Sequence, residues 1–90
     1  MNYKVLKFGA EWCMPCKVLN KNLENFTDCE VVKYDVDDVD DMDEELLEKY
    51  KIRNIPVTIM VDENGEEVNR WVGLFSITEL ETKLEELENA

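Results

Sequence analysis

Residues 3–17 read Tyr3-Lys4-Val5-Leu6-Lys7-Phe8-Gly9-Ala10-Glu11-Trp12-Cys13-Met14-Pro15-Cys16-Lys17. Tyr3 to Phe8 fits a short buried strand carried by Val5, Leu6 and Phe8, and Gly9-Ala10 closes it. Cys13-Met14-Pro15-Cys16 then opens a helix. Its apolar stripe is Leu19, Leu23 and Phe26 at i, i+4 and i+7, and Thr27-Asp28 ends it. Pro15 suits the first helical turn, where a missing N–H leaves no bond unmade. A Cys-x-x-Cys pair is thereby set where a strand hands over to a helix.

That placement carries chemistry. The unpaired N–H groups at a helix N-terminus favour an anion. They favour a Cys13 thiolate, drawing its pKa from about 8.5 towards about 7 or below. Cys16, with two residues intervening, lies one turn inside the helix and within reach of Cys13. The implied chemistry is thiol–disulfide exchange: Cys13 attacks a disulfide, Cys16 resolves the mixed disulfide, and a Cys13–Cys16 disulfide remains. Two buried thiols or a static disulfide is the plain alternative, and the strand–Cys-x-x-Cys–helix context argues against it.

Outward from this stretch, Glu30 to Val36 reads as a second strand with Val31, Val32, Tyr34 and Val36. An acidic stretch runs from Asp35 to Glu45. Within it, Asp41-Met42-Asp43-Glu44 has a capping pattern, and Met42, Leu46 and Tyr50 mark a helix reaching about Lys51. A calcium loop starting at Asp35 requires Gly and Glu where Asp40 and Leu46 stand, so the stretch reads as a solvated loop and helix start. Pro56 has no N–H for a sheet ladder and is expected at the start of the strand Val57 to Val61. Asp62-Glu63-Asn64-Gly65 is a hairpin turn, and Val68 to Val72 returns. Ser76-x-x-Glu79 caps a last helix with Ile77, Leu80, Leu84 and Leu87 on one face. The order βαβαββα predicts an α/β domain: a four-stranded mixed sheet, first two strands parallel, last two antiparallel, flanked by helices on both faces.

The 90 residues suffice for one domain, 1–90. Ten Lys plus Arg against 22 Asp plus Glu give a net charge of −12, so nucleic acid and anionic membranes are poor partners. No His is present, which removes Ser-His-Asp and Cys-His catalysis. Three cysteines fall short of a four-ligand zinc site, and no metal is expected. Lys4 and Lys7 interrupt the N-terminal apolar run. It falls short of the about 7–15 residues of a secretory segment and the about 20 of a membrane span, so a cytoplasmic location is expected; a monomer is expected as well.

Ala10-Glu11-Trp12-Cys13-Met14-Pro15-Cys16-Lys17 resembles the active-site segment of the thioredoxin family, commonly Ala-Glu-Trp-Cys-Gly-Pro-Cys-Lys. Arg53-Asn54-Ile55-Pro56 resembles that family's cis-proline segment. Asn64-Gly65 resembles its hairpin turn, and Trp71-Val72-Gly73 the glycine near its substrate groove. The resemblance runs nearly end to end, without counterparts of the N-terminal strand and helix of longer thioredoxins. It implies a thioredoxin-like fold, Cys13 as nucleophile and Cys16 as resolving thiol. It implies Trp12 flanking an exposed sulfur, with Met14 and Pro15 between the cysteines at the substrate surface. Pro56 would be cis, Ile55 would offer its backbone to an extended substrate, and Gly73 would line the groove. Trp71 is as well explained by packing. No bound cofactor is implied, the redox-active group being the Cys13–Cys16 disulfide itself. Partners implied are protein disulfide substrates and an NADPH-dependent flavoprotein reductase.

Three positions depart from the family pattern. Met14 replaces the usual Gly, which bears on redox potential. Gly9 stands where an aromatic residue is usual, so packing beneath the site should differ. Lys7 stands where the family usually carries a buried Asp that relays a proton to the second cysteine, with Lys33 matching a lysine nearby. Two readings of Lys7 are open: its charge favours the thiolates, or it reaches the sheet edge and pairs with Glu11 or Asp35. Cys29 reads first as a small buried hydrophobe; a regulatory thiol and an interchain disulfide are the sharper readings.

The leading expectation is therefore a thioredoxin-type reductase of protein disulfides. A glutaredoxin-like, glutathione-dependent reductase is the enzyme alternative. Against it, Pro precedes the second cysteine rather than following the first, and no Gly-Gly-x-Asp-like segment follows the hairpin. A redox-idle binding module on the same fold is the non-enzyme alternative.

Overall fold

The structure, a computed structural model, describes residues 2–38 and 40–90, with residues 41–43 described in backbone only. The expected capping pattern at Asp41-Met42-Asp43 and the stripe position of Met42 lie outside the described side chains.

Seven elements follow in the expected order: β1 (Lys4–Gly9), α1 (Met14–Leu23), β2 (Glu30–Asp35), α2 (Asp41–Lys49), β3 (Val57–Val61), β4 (Glu67–Val72) and α3 (Ile77–Glu88). The strands form one sheet in the order β2-β1-β3-β4. β1 runs parallel to β2, with Lys7 opposite Lys33. It runs antiparallel to β3, with Lys7 opposite Thr58. β4 pairs antiparallel with β3, and a register shift opposite Met60 and Val61 accommodates one extra residue.

The two central strands are buried on both faces, which is why they read as near-continuous apolar runs. Side-chain alternation divides them. Val5 and Met60 meet Leu19 and Leu23 of α1 and Leu80 and Leu84 of α3 on one face. Leu6, Phe8, Val57, Ile59 and Val61 meet Leu46 and Leu47 of α2, and Tyr50 just after it, on the other. Trp71 stacks on Phe75, ring centroids 5.1 Å apart, against the first of these cores, so packing explains it. Cys29 is a free, half-buried thiol beside the same core.

The punctuation largely follows the sequence. Asp62 Oδ1 accepts the N–H groups of Asn64 at 2.9 Å and Glu66 at 3.0 Å, and Gly65 takes φ +78 in the hairpin turn. The Ser76 N–H donates to Glu79 Oε2 at 3.1 Å, opening α3. β2 stops at Asp35, but the Val36 N–H still donates to the Gly9 carbonyl at 2.8 Å.

Two helices end earlier than expected. α1 stops at Leu23, not Thr27-Asp28, because the N–H groups of Glu24, Asn25 and Phe26 bond three residues back instead of four. Phe26 still reaches the core from that tightened turn. α2 stops at Lys49, not Lys51. The Ile52 N–H donates to the Leu47 carbonyl at 2.9 Å and the Lys51 N–H to Glu48 at 3.2 Å, with Lys51 at φ +52. This is a Schellman turn with lysine where glycine is usual.

Candidate active site

β1 ends beside the start of α1, and the short turn between them delivers the cysteines. The Cys13 N–H donates to the Ala10 carbonyl at 3.2 Å. Cys13 is the extended N-cap of α1 (φ −89, ψ 107), and its Sγ accepts the Cys16 N–H at 3.2 Å. A sulfur thus takes the place that Ser or Asp oxygens fill at most N-caps. Pro15, in the first turn, withholds no needed donor.

Cys13 and Cys16 are disulfide-bonded, their Cα atoms 5.2 Å apart. Ala10, Val36 and Ile55 pack around them. Cys13 keeps 6% exposure and Cys16 none. The expected order of accessibility holds, but in this oxidised state the outer sulfur is nearly covered rather than openly exposed. A thiolate at Cys13 would sit against the amide ends of α1; Cys16 meets solvent only by way of its partner.

The other expected site residues converge on the same end of the sheet. Trp12, 69% exposed, donates its indole N–H to Asp37 Oδ2 at 2.5 Å. Asp37 is itself held in a turn, its N–H donating to Asp35 Oδ1 at 2.9 Å. Met14 and Pro15 are exposed beside the disulfide. The Ile55–Pro56 peptide is cis, as expected, with Pro56 buried and Ile55 packed against the cysteines. The Pro56 carbonyl accepts the Gly73 N–H at 2.8 Å, which ties the segment after β4 to the cis-proline segment. Gly73 takes φ +84, a conformation that disfavours side chains, and its side-chain direction is open space. Val72 and Leu74, on either side of Gly73, are exposed apolar side chains, as are Trp12 and Met14.

Lys7 is only 3% exposed, and none of the ion pairs among the described residues involves it. The pairing expected with Glu11 or Asp35 is therefore not formed, and the side chain does not reach the surface. Burial, and after it the Lys33 charge, hold the amine below the usual lysine value; the Asp35 carboxylate opposes them. Lys33 is exposed on β2, beside Lys7. The expected change of packing at Gly9 is this lysine: its Nζ fills the space a Gly9 side chain would take.

Sequence reasoning missed Asp37, Val72 and Leu74. Asp37 lies 25 residues from Trp12 within a run of acids, so no local signal marks it. Val72 and Leu74 have one in retrospect, being large apolar residues flanking a positive-φ glycine.

The thioredoxin-like domain family matches residues 2–88. The chain belongs to the thioredoxin family. It is 36% identical over 80 residues to thioredoxin from Mycoplasma genitalium, covering 84% of this chain and 74% of that protein. It is 33% identical over 88 residues to mitochondrial thioredoxin from Mus musculus, covering 92% of this chain but spanning only 50% of that relative. A single-substitution mutant of thioredoxin from Halobacterium salinarum superimposes with a TM-score of 0.79 at 31% identity, covering 94% of this chain and 74% of that one. The sheet and helices are thus a thioredoxin fold, and the cysteine pair occupies the start of its first described helix.

Proposed function

We propose that this chain is a thiol–disulfide oxidoreductase of thioredoxin type that reduces protein disulfides through the Cys13–Cys16 couple. The observation that carries the reading is Cys13 Sγ seated as N-cap of α1, accepting the Cys16 N–H, with Cys16 buried directly behind it. In the reduced protein the same amides favour a Cys13 thiolate. That thiolate attacks one sulfur of the substrate disulfide and the other sulfur leaves as a thiolate, which takes up a proton. Cys16 loses its proton, attacks Cys13 Sγ and expels the second substrate sulfur. Two electrons pass to the substrate, and the Cys13–Cys16 bond forms.

The exposed apolar side chains of Trp12, Met14, Val72 and Leu74 favour an unfolded or loop segment of protein as substrate. Ile55, beside the cis peptide, would offer its backbone to that segment, and Gly73 leaves room for it. The chain carries no cofactor of its own; an NADPH-dependent flavoprotein reductase returns the disulfide to the dithiol. In the reducing cytosol the couple runs as a reductant. Among the described residues no helix is long and apolar enough to cross a membrane.

Insulin reduction tests this. With NADPH and a thioredoxin-type reductase the wild-type chain should precipitate insulin B chain catalytically, and Cys13→Ser should abolish turnover. Turnover supported by glutathione and its reductase, but not by the flavoprotein system, would favour the glutaredoxin-like alternative. No turnover in either system, with a disulfide that does not cycle in dithiothreitol, would leave a redox-idle binding module.

A further inference from the structure

Lys7 is the charged side chain that the fold buries among the described residues. Its amine lies over Gly9, two residues on along the same side of β1, in the space that a Cβ on Gly9 would take. Both residues line an open cleft of about 260 Å³ between β1, β2 and α1. Lys17 and Asn20 of α1, Lys33 and Asp35 of β2, and Glu11 of the turn before α1 line it too.

Three amines thus meet at one cleft of a chain whose net charge is −12. The two carboxylates there do not pair with the buried one. None of the ion pairs among the described residues involves Lys7. Asp35 Oδ1 instead accepts the Asp37 N–H at 2.9 Å, and Glu11 is exposed. Lys33 stands opposite Lys7 in the β1–β2 register, and like charges placed so repel. After burial, that Lys33 charge is the next cause of the lowered Lys7 pKa. Asn20 Oδ1 is a further buried polar atom in the cleft, and it has no partner. A half-turn of its amide would present NH₂ donors in place of that oxygen.

We propose that this cleft binds a small oxyanion of the phosphate class, held by the amines of Lys7, Lys17 and Lys33 and by the Asn20 amide. The site goes beyond the oxidoreductase reading and does not depend on it. An anion supplies the counter-charge that Lys7 lacks. Set between Lys7 and Lys33, it replaces a repulsion with charge-assisted contacts to both. A tetrahedral oxyanion suits donors that arrive from three elements, because its oxygens point in four directions. The cleft is smaller than the about 300–1,000 Å³ of sites for drug-sized ligands, which suits one ion with its water rather than a nucleotide. Glu11 and Asp35 oppose the anion and keep the binding modest.

The oxidised, ¹⁵N-labelled chain titrated with inorganic phosphate, at an ionic strength held constant with chloride, tests this by NMR. Amide shifts should saturate and should centre on Lys7, Gly9, Asn20 and Lys33. Phosphoserine, titrated in parallel, distinguishes a phosphate monoester from free phosphate, and saturation by either at this cleft supports the site. Lys7→Met should weaken binding at least about tenfold, since the contact removed is charge-assisted and desolvated. Lys33→Gln, an exposed change, should weaken it about threefold or more. Lys21→Gln, exposed on α1 outside the cleft, should leave it within about twofold. Phosphate should also raise the thermal midpoint of the wild type above that in chloride, and that of Lys7→Met much less. Shifts that never saturate, that spread equally to Lys21 and Lys51, or that Lys7→Met leaves unchanged overturn the proposal. Should Lys7→Met not fold, unchanged binding in Lys33→Gln overturns it equally. The oxidised chain exchanges no disulfide in this titration, so such a failure leaves the Cys13–Cys16 reading standing, and insulin reduction decides that reading separately.

Discussion

A lysine buried to 3% exposure without an ion pair lowers stability unless something compensates. Lys7 should therefore carry a measurable stability cost. Its amine is held below the usual lysine value in the folded chain, so the unfolded chain binds the proton more tightly. The destabilisation is therefore complete below the lowered folded pKa. It fades as pH rises from there towards the unfolded value of about 10.4. Oxidised Lys7→Met should be more stable than oxidised wild type, most at low pH, with the gain shrinking as pH climbs through that window. Urea unfolding of both proteins across pH checks this, and a gain independent of pH would show that the lysine's charge is not what costs. The lysine itself stood out in the sequence, but its pose did not. The place of the amine depends on an absent side chain at Gly9 and on α1 packing over β1, neither of which residues 3–17 reveal alone.

Helix starts were easier to read than helix ends. α1 and α3 begin where a capping residue and a first-turn Pro15 or Glu79 announce them, since caps act within three residues. Both overestimated ends lie where the backbone leaves the helix without Gly or Pro. Lys51 holds φ +52, a conformation costly for a side chain bearing Cβ. Lys51→Gly should therefore raise the unfolding free energy by up to about 1 kcal/mol, after the greater unfolded-state freedom of glycine is deducted. Thermal or urea unfolding measures it, and a loss of stability would mean that the lysine side chain makes a compensating contact. The strands were legible because β1 and β3 are covered on both faces and carry apolar runs interrupted within them only by Lys7 and Thr58. The Trp12–Asp37 bond was not, because it joins an exposed indole to one acid of many across a fold-dependent gap.

At the scale of the molecule, three chain segments far apart in sequence meet at one disulfide. β1 and α1 supply the cysteines, the Ile55–Pro56 peptide closes one side, and Gly73 is tied to Pro56 beside it. The cysteine pair and its helix-terminal setting were readable locally. The convergence followed from the βαβαββα order once β3 was placed next to β1. The account stands on the amide ends of α1 holding Cys13 as an anion. The direct measurement is the pH dependence of alkylation of each cysteine in the reduced chain, followed by peptide mass spectrometry. Cys29 gives an internal contrast, since burial and then the Asp28, Glu88 and Glu30 carboxylates push it up to about 11. The account predicts a Cys13 midpoint well below the ordinary thiol value of about 8.5, with Cys29 unreactive until far more alkaline pH. A Cys13 midpoint at or above about 8.5 would contradict it.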